Sequence, residues 1–112
     1  MRPVLHSDLS AAARVLLLIP HALRQSVMDQ MVVDAEFADR HMRRLKAPHP
    51  EWGSGTLAAA AARHAQADEP SMDSSEYCEC LRIVLRSLIA RRTRHKDKLC
   101  LERAGSGYSD LE

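Results

Sequence analysis

The chain has 112 residues, of which 46% are hydrophobic and 4% aromatic, and its 16 basic side chains nearly balance 15 acidic ones. That length suits one domain with a real core, and the charge balance excludes a whole-molecule field that would recruit nucleic acid or an anionic membrane. Alanine and leucine outnumber β-branched and aromatic residues, so the expected fold class is all-α.

In chain order, Ser7 is a good N-cap for a first helix over Asp8 to Leu18, with Asp8 well placed for the helix dipole. Its most apolar run, Val15 to Ile19, is far shorter than the roughly 20 residues needed to span a bilayer. Arg14 also interrupts the apolar stretch a signal peptide would use. Pro20 ends this helix, and a second runs from Pro20 or His21 to Leu45. There Leu23, Val27, Met31, Ala35, Ala38, Met42 and Leu45 recur at spacings of three and four and form one stripe. Glu36 with Arg40 and Asp39 with Arg43 stand at i,i+4 in the acid-first order of a solvated face. Val33 and Phe37 lie off the stripe and offer a second contact surface.

The loop from Ala47 to Gly55 contains "HPEWGSG" and the single tryptophan. Two readings compete for it. As a structural loop, its prolines stiffen the connection while Gly53 and Gly55 allow the turns that bring Trp52 inward beside His49, as a plug for the open end of a helical core. As a site, Trp52 is an aromatic wall with His49, Glu51, Ser54 and Thr56 around it, but no second histidine–carboxylate pair is fixed nearby and the "GSGT" glycines lack the lysine of a phosphate loop. No catalytic residue is assigned.

Ser54 or Thr56 caps a third helix through "LAAAAARHAQA". "DEPSMDSSE" breaks the pattern, with Asp73 and Glu76 at capping-box spacing. A fourth helix runs from about Ser74 to Arg94, with Tyr77, Cys80, Leu81, Val84, Leu85 and Leu88 inward. The expectation is one helical domain over residues 1–95, a compact bundle of about four helices, followed by a flexible tail over 96–112.

The three cysteines are odd in number and irregular in spacing, which points to a reducing, cytoplasmic setting. Cys78 and Cys80 differ by about 200° around a helix and cannot close on one ion, and no histidine has an H-x-x-x-H companion, so neither metal nor cofactor is expected. Arg91, Arg92 and Arg94, followed by Lys96 and Lys98, are distributed around the end of the fourth helix, and Arg40, Arg43, Arg44 and Lys46 end the second. Dipole complementation and solubility explain both groups; the alternative is a phosphate-binding surface made from both basic ends if the helices end side by side, with Arg91, Arg92 and Arg94 as its first candidates.

"RPVLHSD", "AAARVLLLIP", "AEFADRH", "HPEWGSGTL" and "YCECLRIVLRSLIARR" together resemble a family of short uncharacterised alphaproteobacterial proteins, a domain of unknown function. The resemblance covers residues 1 to 94 and implies a small helical fold, with no activity or site to carry over. The expected function is a small non-enzymatic interaction or regulatory module in a bacterial cytoplasm. It would bind a protein partner or a second copy of itself through Val33 and Phe37. The alternatives are a nucleic-acid accessory protein using the basic helix ends, and an enzyme or ligand-binding protein using the Trp52 loop.

Overall fold

The computed structural model describes residues 1–105, with side chains described as far as Thr93. Four helices follow one another, α1 (His6–Leu17), α2 (His21–Leu45), α3 (Leu57–Ala61) and α4 (Ser75–Gly105), and the chain is an all-α bundle.

α1 begins just before Ser7, because the group that closes its first turn is Asp8. One Asp8 oxygen accepts the Leu5 amide at 2.7 Å. The other accepts the Ala58 amide, in the first turn of α3, at 2.9 Å. One buried carboxylate therefore meets two helix starts, where amides lack helical partners and the dipole favours negative charge. Ala11, Ala12 and Ala13 are buried, and these small side chains let α3 and α4, the main neighbours of α1, come close. The buried hydroxyls of Ser10 and Tyr77 join α1 to α4 at 3.1 Å.

The core face of α2 is Met28, Met31, Val32, Ala35 and Ala38. The predicted stripe is right at its centre and wrong at its ends, since Leu23 and Leu45 are 52% and 62% exposed. Near the start of α2, Arg24 is buried, and its Nε donates to the carbonyls of Leu16 at 2.8 Å and Ile19 at 2.9 Å. Its Nη2 reaches Glu76, in the first turn of α4, at 2.8 Å. This one guanidinium fills the α1–α2 corner, where helix-end carbonyls have no helical donor.

α3 is shorter than its alanine run suggests. It ends at Ala61, after which the chain turns through Arg63 N–H to Ala60 O and His64 N–H to Ala61 O, and the Ala67 amide bonds the Arg14 carbonyl at 3.1 Å. That tertiary bond to α1 overrides helix propensity.

At the start of α4 the cap is Ser74, whose Oγ accepts the Tyr77 amide at 3.2 Å, and not the expected Asp73. Tyr77, Cys80 and Val84 face the core and Leu81 and Leu88 are half-buried, but Leu85 is exposed, as is Ile89. α4 continues to Gly105, through residues 96–105 where a tail was expected. Nothing between Thr93 and Gly105 is proline or glycine, so no residue there stops a helix. Residues 106–112 lie outside the described residues.

Candidate functional site

The "HPEWG" stretch is a closed backbone ring. The His49 amide donates to the Gly53 carbonyl at 2.8 Å, and the Gly53 amide returns a bond to the His49 carbonyl at 3.0 Å. Inside the ring, His49 Nδ1 accepts the amides of Glu51 at 3.0 Å and Trp52 at 3.2 Å. Two backbone amides thus converge on one ring nitrogen as their acceptor and fix the orientation of the imidazole. Gly53 and Gly55 have φ of 76° and 97°, the left-handed region that favours glycine.

Gly55 also sets the loop against α2, since a Cβ there would lie 2.6 Å from Asp39 Cα. Its carbonyl accepts the Arg2 amide at 2.9 Å. Buried Asp39 pairs with the Met1 ammonium at 3.1 Å and with Arg43 at 3.0 Å. A pair predicted to be solvated is thus half interior, and it fastens the first residues and the loop to one place on α2.

Trp52 is half-buried and lies outside the apolar core, so the indole is not the expected plug. Leu57, fully buried, fills the core next to this loop. The indole instead rests on the outer face of α2. The His49 ring stacks on it at 4.6 Å and 19°, and Phe37 meets it edge-on at 5.5 Å. Phe37 also meets His49 at 5.5 Å, and His41 packs on His49 at 4.9 Å. Of the structural grouping, His49 and Trp52 therefore belong to a surface ring cluster with Phe37 and His41 as its α2 members, while Gly53 and Gly55 shape the turn that carries it. Phe37 remains 47% exposed and Val33, one turn earlier, 54%. His41 Nδ1 lies 3.1 Å from the Ala47 carbonyl and must donate to it, which leaves His41 Nε2 without a hydrogen-bond partner among the described residues.

The expected Glu36–Arg40 pair does not form. Glu36 takes Arg91 from α4 at 2.6 Å. Of the three arginines considered for phosphate, Arg91 is thus occupied, Arg92 is exposed, and the Arg94 side chain lies outside those described. Arg40 instead stands with its guanidinium carbon 6.0 Å from the Phe37 ring centroid. Phe37, Arg40, His41, Arg44 and Leu45 line an open cleft of about 200 Å³.

Cys78 is exposed, its thiol 3.3 Å from the Met72 carbonyl, and Cys80 is buried, with burial pushing its thiol up from the ordinary value. Among the described residues no three His, Cys, Asp or Glu side chains are grouped to hold a metal ion, and no helix is long and apolar enough to cross a membrane.

Fold and surface together define a small all-α domain with an aromatic and basic cluster on the outer face of its second helix. The sequence pattern of DUF7742, a domain of unknown function, matches residues 2–88, and the chain belongs to that family. The match contains Phe37, His41, His49 and Trp52 and stops before Arg91. No curated protein and no solved structure matches the chain.

Proposed function

We propose that the protein is a non-enzymatic interaction or regulatory module of a bacterial, alphaproteobacterial cytoplasm, and that its working surface is the outer face of α2 with Val33, Phe37 and the Trp52 loop. The observation that carries this reading is Phe37. Its ring is half exposed yet held from two sides by His49 and Trp52, so it offers apolar area that costs little conformational entropy to bind. An aromatic anchor of this kind suits a protein partner or a second copy of the chain. Use of the α4 arginines for nucleic acid is disfavoured by the Arg91–Glu36 pair, which cancels one of the three cations.

The test isolates a partner with the tagged protein, then measures affinity for that purified partner. Phe37→Ser is expected to weaken binding about 30-fold or more, the scale of an interface hot spot. Reversal of Arg91, Arg92 and Arg94 to glutamate is expected to change it little. Loss on arginine reversal alone overturns the reading in favour of nucleic acid or an acidic partner. Sedimentation of the isolated protein tests the homo-oligomeric form.

A further inference from the structure

We infer that the cleft between Phe37 and Leu45 binds a small anion carried on a planar ring, with an aromatic phosphate monoester as the simplest member of that class. The inference rests on the outer face of α2 being the working surface, and it names a ligand chemistry for one end of that face.

The carboxylates nearest Arg40 are engaged elsewhere. Glu36, one turn before Arg40, is taken by Arg91, and Asp39, one residue before it, is taken by Met1 and Arg43. Arg40 and Arg44 therefore have no carboxylate partner among the described residues. They stand at i,i+4, neighbours on one helix face, so two guanidinium forks border one cleft. Guanidinium forks match the oxygen spacing of phosphate and carboxylate and bind them bidentately.

The rest of the lining is suited to a ring. Phe37 and Leu45 supply apolar surface, and the Arg40 guanidinium already lies near the Phe37 ring, as it would beside a second aromatic group. A cavity of about 150 Å³ holds a benzene, so about 200 Å³ admits one ring with its acidic group at the open side. The two forks favour phosphate among acidic groups. A phosphate monoester brings three terminal oxygens and close to two negative charges to the pair of guanidiniums, whereas a carboxylate brings two oxygens and one charge. His41 Nδ1 is committed to the Ala47 carbonyl, so Nε2 is the ring nitrogen left to meet the ligand. The carbonyl end of α2 opposes an anion, but Lys46 caps it, its amide on the Met42 carbonyl at 2.8 Å, and the two guanidiniums carry whole charges against the half charge of a helix end.

Trp52, the single tryptophan, touches Phe37 and reports on the cleft by its emission. Phenyl phosphate, titrated into the full chain, is expected to change that emission saturably with a Kd of about 1 mM or tighter. Inorganic phosphate and benzyl alcohol, each carrying half of the chemistry, should bind at least about 10-fold more weakly, and benzoate should fall between. Arg40→Ala with Arg44→Ala should weaken phenyl phosphate about 10-fold or more, and Arg40→Lys with Arg44→Lys by less. All four are exposed-site changes whose folding is checked by melting.

No saturation by about 20 mM, retention of binding in the double alanine variant, or equal binding of benzyl alcohol would each overturn the inference. So would an oligothymidylate without terminal phosphate that binds as tightly as phenyl phosphate, since the cleft would then be reading a strand. Loss of partner binding in Phe37→Ser with no response to phenyl phosphate defeats this inference alone. A phenyl phosphate response with partner binding intact in Phe37→Ser defeats the proposed function alone.

Discussion

Asp8 and Ala58 are 50 residues apart, yet the Asp8 carboxylate accepts the Ala58 amide at 2.9 Å while its second oxygen holds Leu5. The start of α3 is therefore organised by α1. Asp8→Ala removes two charge-assisted caps from a buried place and should lower stability by about 2–4 kcal/mol, with Asp8→Asn losing less because one acceptor survives. Urea unfolding measures both. An alanine variant within about 0.5 kcal/mol of the parent would show that neither cap matters.

Gly55→Ala should be among the most damaging single-methyl changes in the chain. It places a Cβ 2.6 Å from the Asp39 backbone and asks an L-residue to adopt a φ of 97°. Left-handed strain and overpacking each cost about 1–3 kcal/mol, so a loss of about 3 kcal/mol or more is expected from the unfolding midpoint.

Trp52→Ala should cost about 1–2 kcal/mol, less than removal of a core tryptophan, because the indole is half-buried and its main contacts are two ring pairs. His49→Ala should instead free the Glu51 and Trp52 amides, and hydrogen exchange at those two positions should accelerate. Unchanged exchange there would refute the acceptor role of His49 Nδ1.

These positions show how far the sequence could be read. Periodicity located α2 and α4 and their central core residues, because Met31, Ala35, Ala38, Tyr77, Cys80 and Val84 are spaced to face one side. It also set Phe37 apart from the core. Periodicity says nothing of Trp52, whose size and flanking prolines and glycines point to burial, whereas His49, three residues before it, closes a surface turn. It could not find the pairings Glu36–Arg91 or Arg24–Glu76, which depend on how helices cross and not on spacing within a helix. The same limit hid Asp39, which local spacing placed on a solvated face and the packing of Met1 and Gly55 made interior.

Glu76 sets one limb of the acid response. Its hydrogen bond from Arg24, followed by that side chain's charge, holds the Glu76 carboxyl below its ordinary value of 4.5. A carboxyl more acidic in the folded than in the unfolded chain contributes stability above about pH 4.5, and that contribution is lost as pH falls through the lowered folded value. Glu76→Gln should therefore differ from the parent at neutral pH and converge with it in acid. A difference in urea midpoint that stays constant from pH 7 to acid would exclude this coupling.

Cys78 and Cys80 should separate cleanly by reactivity. In a Cys100→Ser background, an aromatic disulfide reagent should modify one thiol quickly in the native protein, Cys78, and the second only when urea is added. Cys80 is both covered and, through burial, slow to form thiolate. Two equally fast thiols would show that α4 opens readily at its first turns.

The position of Arg24 has a consequence for the order in which the molecule assembles. Its two carbonyl partners, Leu16 and Ile19, precede it by a few residues, whereas its carboxylate partner comes 52 residues later. A chain emerging from the ribosome can close the α1–α2 corner early, but the cation there stays uncompensated until Glu76 arrives with α4. Docking of the last helix is thus the event that locks the first two together, and a chain cut before Glu76 should hold that corner only transiently.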